Sequence, residues 1–265
     1  MIDLHCHILP GVDDGAKNMD QAIAMGRCAW DDGIETIVAT PHVYRENISQ
    51  ADFAAIRQKR KELGRAFREK GIPVQLMAGA EVHIMHNLLE EVKKNRPELA
   101  VNGGSYMFVE FPQDHVFFGV KELFFDLMSE GIKPIIAHPE RNTVFMRKPS
   151  LLYDLVRMGA FVQSNGGSFL GRYGRGVEES AFALLERRSI HFIASDGHGV
   201  RSIPPTLTGA LRIVREAAGE EYARALVQDN PEAVLNDGSL PYVPDTMEPR
   251  ARQKYLRTRK RKFFE

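Results

Sequence analysis

The chain has 265 residues, no net charge, 43% hydrophobic and 26% charged residues, a composition ordinary for a soluble globular protein and one that gives no overall attraction to nucleic acid. Two cysteines, Cys6 and Cys28, are too few for a disulfide scaffold. No apolar run approaches the ~20 residues of a membrane span and no basic-then-apolar leader opens the chain, so the sequence predicts a cytoplasmic protein.

Short apolar, β-prone runs recur at residues 2–7, 36–40, 74–80, 106–111, 134–137, 161–164 and 191–195. Amphipathic helical patterns lie between them at 19–31, 52–70, 120–130, 150–158 and 178–188. Within the fourth-strand crossover, Phe124, Phe125 and Met128 read as core rather than as a binding stripe. Gly33, Gly71, Gly131 and Gly159 stand where a helical stretch gives way to a strand, a position that suits the left-handed conformation glycine adopts cheaply. Alternating strands and helices with short connections predict a parallel sheet, and seven strands in a chain of this size predict a closed or nearly closed barrel. Residues 206–235 read as terminal helices, the last starting at Asn230-Pro231-Glu232. The expected organisation is one domain over residues 1–240 and a tail over 241–265. Residues 250–265 hold eight basic residues and one acid, leaving 27 basic against 34 acidic residues in the rest. Such a tail suits either weak contact with an anionic membrane surface, at ~1 kcal/mol per charge, or pairing with the acidic body.

The ends of these strands carry the chemistry. In parallel β/α barrels the active site forms at the C-terminal strand ends. Six of the seven predicted strands end in, or run into, metal-ligand types: His5 and His7, His42, Glu81, Glu110, His138, and Asp196 with His198. His5 and His7, two apart on a strand, share a face, with Leu4 and Cys6 on the other, toward the helices. Asp3 has the parity of the histidines and is expected to orient an imidazole. With Asp14 the set has nine members, enough for two or three ions. Mixed imidazole and carboxylate ligands favour Mn, Fe or Zn over Ca or Mg. His83 reads as a pocket-lining or a plain loop histidine. His86, His115 and His191 lack ligand-like partners and read as structural or exposed. Tyr44 and Arg45, just after His42, lie within reach of a substrate.

These residues resemble the PHP (polymerase and histidinol phosphatase) superfamily, and within it the bacterial capsular and exopolysaccharide-locus protein-tyrosine phosphatases. The likeness rests on the opening Asp3-Leu4-His5-Cys6-His7 through Asp13-Asp14-Gly15, on Thr40-Pro41-His42, Gly79-Ala80-Glu81, Val109-Glu110-Phe111, His138-Pro139-Glu140-Arg141-Asn142, Gln163-Ser164-Asn165 and Ser195-Asp196-Gly197-His198. The resemblance implies a distorted seven-stranded TIM-like barrel holding three divalent ions, manganese first, with Fe or Zn as alternatives. By resemblance, His5, His7, Glu81 and Asp196 hold one ion; Glu81, Glu110 and His138 a second; Asp14, His42 and His198 the third. It also implies a phosphotyrosine protein substrate, a membrane-associated tyrosine autokinase, with homo-oligomer formation open. The chain departs from the family pattern at Gly199, where asparagine is usual.

The chemistry expected is phosphomonoester hydrolysis by a metal-activated hydroxide. Arg141 and Arg201 are the candidate phosphate clamps, because a planar guanidinium suits oxyanions. Tyrosine is a forgiving leaving group, with a phenol pKa of about 10. A cysteine nucleophile is not expected, since Cys6 faces away from the histidines. The rival readings are a small-molecule phosphatase acting on a substrate such as histidinol phosphate, a nuclease, and a non-catalytic binding module.

Overall fold

The computed structural model describes residues 1–45 and 52–243. The basic tail, and with it the expectation of membrane contact, lies outside the described residues. The elements run β1 (Ile2–Cys6), α1 (Met19–Asp31), β2 (Thr36–Ala39), β3 (His42–Val43), α2 (Phe53–Glu69), β4 (Gln75–Ala78), β5 (Glu81–His83), α3 (Leu88–Leu99), β6 (Tyr106–Glu110), α4 (Val120–Ser129), β7 (Lys133–Ala137), α5 (Thr143–Arg147), α6 (Pro149–Met158), β8 (Phe161–Asn165), α7 (Gly166–Phe169), α8 (Arg175–Glu186), β9 (Phe192–Ala194), α9 (Thr208–Ala218), α10 (Glu220–Arg224) and α11 (Asn230–Leu235). Among the described residues no helix is long and apolar enough to cross a membrane.

Side-chain caps set the helix starts. Asn18 accepts a hydrogen bond from Gln21 N, Asp52 from Ala55 N, and Asn142 from both Val144 N and Phe145 N. Two features of the helices differ from the sequence reading. Phe125 is 64% exposed, because Leu123, Phe124 and Leu127 already fill the buried face of α4. The last helix does not start afresh at Asn230: a π turn over Ala225–Asp229 carries α10 straight into α11. Pro231 donates no hydrogen bond and crowds the carbonyl four residues back, and the widened turn removes both problems.

All strand pairs are parallel. One sheet has the order β1-β2-β4 and the other β3-β5-β6-β7-β8-β9. The sheets meet along two broken lines. Pro41 donates nothing to a ladder and separates β2 from β3. Gly79 separates β4 from β5, and a Cβ there would come within 2.7 Å of Val38 Cγ1. Beyond β9, Gly197 bridges Cys6 in parallel, and Asp196 N donates to His5 O at 2.9 Å. The fold is thus mixed α/β on parallel sheets, with its last strand running back to its first.

β1 has a register irregularity between Asp3 and Cys6, which breaks the simple alternation expected there. Leu4 packs with Phe108, Ile135 and Phe192 in a cluster of strand residues, while Cys6 joins the larger cluster shared with the helices. Leu4 and Cys6 therefore do not share a face. Asp3 follows the same correction. Its carboxylate accepts from Ser195 N at 2.9 Å, Ser195 Oγ at 2.5 Å and the backbone N of His5 at 3.4 Å, so it holds Ser195 and the His5 backbone and not an imidazole. Burial raises its pKa to about 6 against those hydrogen bonds.

Candidate metal centre

All nine ligand-type residues are gathered at the C-terminal ends of the strands. His5, His7 and Glu81 form one group whose ligand atoms lie within 4.8 Å of one another. His5, His138 and Asp196 form a second, His42, Glu81 and Glu110 a third, and His7, Asp14, His42 and His198 a fourth. Two of these residues reach the site through strained backbone. His138, after β7, and Asp196, after β9, have φ of +31° and +52°. Non-glycine residues rarely adopt that region, and such strain concentrates at functional sites. A second close approach shapes the rim: a Cβ on Gly15 would meet His7 O at 1.9 Å, so only glycine lets the loop carrying Asp13 and Asp14 fold back onto β1.

Four atoms converge at the centre. His5 Nε2 and His7 Nε2 are 3.2 Å apart. Glu81 Oε2 is 3.3 Å from each, and Asp196 Oδ1 is 3.6 and 3.3 Å from them. Each ring is held on its far side. His5 Nδ1 meets Gln163 Oε1 at 3.0 Å, and that amide is oriented by its own Nε2 donating to Asn165 Oδ1 at 2.8 Å. His7 Nδ1 meets Asp13 Oδ2 at 2.8 Å. With both Nδ1 atoms engaged in this way, both Nε2 atoms are turned toward each other and toward two carboxylate oxygens. Two imidazole nitrogens and two carboxylate oxygens meeting in a buried space call for positive charge, which a metal ion supplies and, without one, protons on the rings.

The orphaned atoms say the same. Among the described residues, Glu81 Oε2, Asp196 Oδ1 and His42 Nδ1 are buried without hydrogen-bond partners. His42 Nδ1 and Glu81 Oε2 are 3.0 Å apart. Buried polar atoms are otherwise almost always paired. The residues fit divalent cations.

Carboxylates set the charge of this region. Burial works against the imidazolium of His7, but Asp13, Asp196 and Glu81 outweigh it and hold its pKa well up. Burial likewise opposes charge on His42, yet Asp14 and Glu81 raise its pKa to about 9. Glu81 and Asp196 stay well below the usual carboxylate range despite complete burial, because histidines surround them. Asp14 is held low by hydrogen bonds from His198 and His42, although its side chain is 58% exposed.

The centre forms the floor of a cavity of about 770 Å³ whose walls include Arg141, Arg201, Arg45, Lys17 and Gln113. Arg141 donates to Asp196 Oδ2 at 2.8 Å and stacks over the Tyr173 ring at 4.5 Å. Arg201 lines the mouth and is exposed. Arg45 Nη1 lies 2.6 Å from His42 Nε2. Tyr44 bonds Glu91 at 3.1 Å. Of the remaining histidines, His83 Nδ1 touches Glu110 Oε2 at 3.3 Å, His86 packs at a tilt against Phe117, and His191 is buried.

Sequence reasoning missed the supporting residues. Asp13 orients His7, Gln163 orients His5, and Asn165 Nδ2 donates to Asp196 Oδ2 at 2.6 Å. Glu140, fully buried, accepts from Asn165 N at 2.8 Å and Ser168 Oγ at 2.7 Å. The signal available was polar residues at 163 and 165, two apart in a strand otherwise destined for burial.

A family model described as capsular polysaccharide synthesis, CpsB/CapC, matches residues 1–236. The chain belongs to this family. The tyrosine-protein phosphatase YwqE of Bacillus subtilis is 38% identical over 240 residues, 91% of this chain and 93% of YwqE. The tyrosine-protein phosphatase CpsB of Streptococcus pneumoniae is 29% identical over 243 residues, 89% of this chain and 99% of CpsB. A crystal structure from work on YwqE and CpsB as metal-dependent tyrosine phosphatases matches at a TM-score of 0.85 and 37% identity, covering 92% of this chain and 99% of that one. A lactonase of Listeria monocytogenes shares the fold at a TM-score of 0.55 and 16% identity.

Proposed function

We propose that this member of the CpsB/CapC family is a metal-dependent tyrosine-protein phosphatase of capsule or exopolysaccharide synthesis. The observation that carries the reading is the convergence of His5 Nε2, His7 Nε2, Glu81 Oε2 and Asp196 Oδ1, the two carboxylates lining the cavity, in a chain 38% identical to YwqE. The strand pairing supports one distorted seven-stranded barrel of the PHP type within a single domain over residues 1–240. In that reading β2 and β3 are halves of one strand, β4 and β5 halves of another, and the Cys6–Gly197 bridge closes the ring.

Three divalent cations, manganese first, are the proposed occupants. The nine ligands would divide as His5, His7, Glu81 and Asp196; Glu81, Glu110 and His138; and Asp14, His42 and His198. Such ions supply Lewis acidity toward phosphoryl oxygens and a nucleophilic water at neutral pH. The chain's own residues supply the rest. Gln163 and Asp13 engage the two Nδ1 atoms and so orient both Nε2 atoms toward the ions. Arg141, fixed between Asp196 and the Tyr173 ring, turns the remaining edge of its guanidinium to a phosphoryl oxygen. Arg201 is the second clamp, from the mouth. A phenolate leaves with little help, so no dedicated acid is required of the chain. The proposed substrate is a phosphotyrosine protein, in this family a membrane-associated tyrosine autokinase.

The test is phosphate release from a phosphotyrosine peptide and from histidinol phosphate by metal-stripped protein, with and without Mn²⁺. Metal-restored release from the peptide is the expected result. Release from histidinol phosphate alone would replace the protein substrate with a small molecule, and no release from either would remove the phosphatase reading.

A further inference from the structure

The proposed metal ligands do not lie at equal depth. His5, His7, Glu81 and Asp196 are buried, whereas the Asp14 side chain is 58% exposed. His42 turns a different ring nitrogen to each depth. Its Nδ1 lies 3.0 Å from Glu81 Oε2. Its Nε2 lies 3.4 Å from Asp14 Oδ1, which is 3.3 Å from His198 Nε2.

A side-chain cation stands at this outer group. Arg45 Nη1 is 2.6 Å from His42 Nε2 and 3.4 Å from Asp14 Oδ2. A guanidinium has donors and no acceptor, so a contact this short takes the lone pair of Nε2. A metal ion shared with Asp14 and His198 would need that same lone pair, so the guanidinium and the ion exclude each other there. Arg141 differs: it takes Asp196 Oδ2 and leaves Oδ1, the atom that faces His5 and His7.

The backbone is bent to bring Arg45 into this contact. In a continuing strand, residues 42 and 45 would point to opposite faces. Instead β3 ends at Val43, and Tyr44 has φ of +61°, a region in which a bulky residue is an outlier. Tyr44 is tethered to α3: its hydroxyl donates to Glu91 Oε2 at 3.1 Å and accepts from Asn95 Nδ2 at 3.3 Å. Such strain persists only where the surroundings enforce it, and here the residue it redirects is the one that meets His42.

We infer that Arg45 is a tethered competitor for the outermost divalent cation, so that the site of Asp14, His42 and His198 loads last. This rests on the three-ion reading above. Arg45 is itself partly exposed, so a guanidinium displaced by the ion has solvent to turn into.

The experiment is equilibrium dialysis of chelator-treated protein against Mn²⁺, giving the number of bound ions and their stepwise affinities. One pH is used throughout, so that competition from protons is common to all proteins. The proteins are the wild type, Arg45→Ala, Arg45→Met, Tyr44→Phe, Asp14→Asn, and Asp14→Asn with Arg45→Ala. Asp14→Asn should lose the weakest step and so assign it to the outer site. Both arginine variants should tighten that step about tenfold, the worth of one charge-assisted hydrogen bond at a partly exposed position, with the other steps little changed. Tyr44→Phe, which cuts the tether, should tighten it less, and in the double variant Arg45→Ala should not bring the lost step back. A weakest step left unchanged or weakened by both arginine variants overturns the competition, as does a tightening shared by every step or one that survives Asp14→Asn. A wild type that binds only two ions supports it if Arg45→Ala gains a third, and overturns it together with the three-ion reading if not. No turnover is read, so failure of the phosphatase reading shows separately, in the phosphate-release assay.

Discussion

Histidines at the two ends of the sheet are similarly buried, yet their pKa values shift in opposite directions. His7, His42 and His138, at the C-terminal ends, are 1%, 5% and 8% exposed, and all have pKa values pushed upward. His191, at the N-terminal side of β9, is 2% exposed, and burial alone takes its pKa down to about 3. The difference lies in the neighbours. The upper rings meet carboxylate oxygens at 2.8 to 3.4 Å. His191 sits edge-on to Phe161, and its Nδ1 accepts from Val162 N at 3.1 Å. Burial pushes any imidazole toward neutrality; only opposing charge or a cation makes a buried histidine functional. One end of the sheet is built to hold charge, and the other to pack.

The largest effect that tests this contrast is at Glu81. Its Oε2 faces His5, His7 and His42, and its Oε1 lies 2.9 Å from His138. Glu81→Gln keeps the shape and removes the charge on which all four depend. Activity should fall on the order of 10³-fold, as the ~3–5 kcal/mol of a broken buried charge cluster implies. Bound metal, measured by elemental analysis of the purified protein, should fall with it. Full metal content with full activity would mean that the upper carboxylates are as structural as the lower end.

A smaller effect is expected one layer out. Gln163→Leu leaves every proposed ligand in place but frees His5 Nδ1, so the ring loses its fixed tautomer. Metal affinity, titrated with Mn²⁺, should weaken about 10- to 100-fold. If it does not change, the tautomer argument fails and the convergence of His5 and His7 needs another cause.

Gln163 also marks how far the sequence could be read. The nine ligand types were legible because strands of a parallel sheet place their C-terminal ends together, so a polar residue at each end is a pattern in itself. Their supporters were not, because the contact between Gln163 and His5 spans 158 residues and obeys no local period. Asp13 was hidden beside Asp14: nothing in two adjacent aspartates says that one meets His7 and the other His42 and His198. In the scaffold, β1 was found but not its irregular register, so parity misplaced Leu4 and Asp3. Helix α3 was absent from the sequence reading because Pro97 lies inside it and Asn95 breaks its geometry with φ of −127°. The breaks at Pro41 and Gly79 were visible as residues, but their effect, two strands each split into paired halves, arises from packing against neighbours.

The smallest effect belongs to the lower end and concerns stability rather than activity. His191 has a folded pKa of about 3 and an unfolded value near 6.5. Its contribution is fully present above pH ~6.5 and is lost as pH falls toward 3, because the unfolded chain accepts a proton that the folded one refuses. The structure gives the local reason: protonation turns Nδ1 from the acceptor for Val162 N into a donor facing a donor. His191→Asn places an amide oxygen near Nδ1 and retains the acceptor without the titration. In chelator-treated protein, the unfolding free energy of the wild type should fall more steeply between pH 6 and 4 than that of the variant, by up to one proton's slope, ~1.4 kcal/mol per pH unit. The upper histidines, with raised pKa values, act in the opposite sense: their contribution is present below their unfolded pKa and is lost as pH rises through the folded one. They are common to both proteins, so the difference between the two curves isolates His191. Parallel curves would show that His191 titrates alike folded and unfolded, and the contrast between the two ends of the sheet would then rest on the upper end alone.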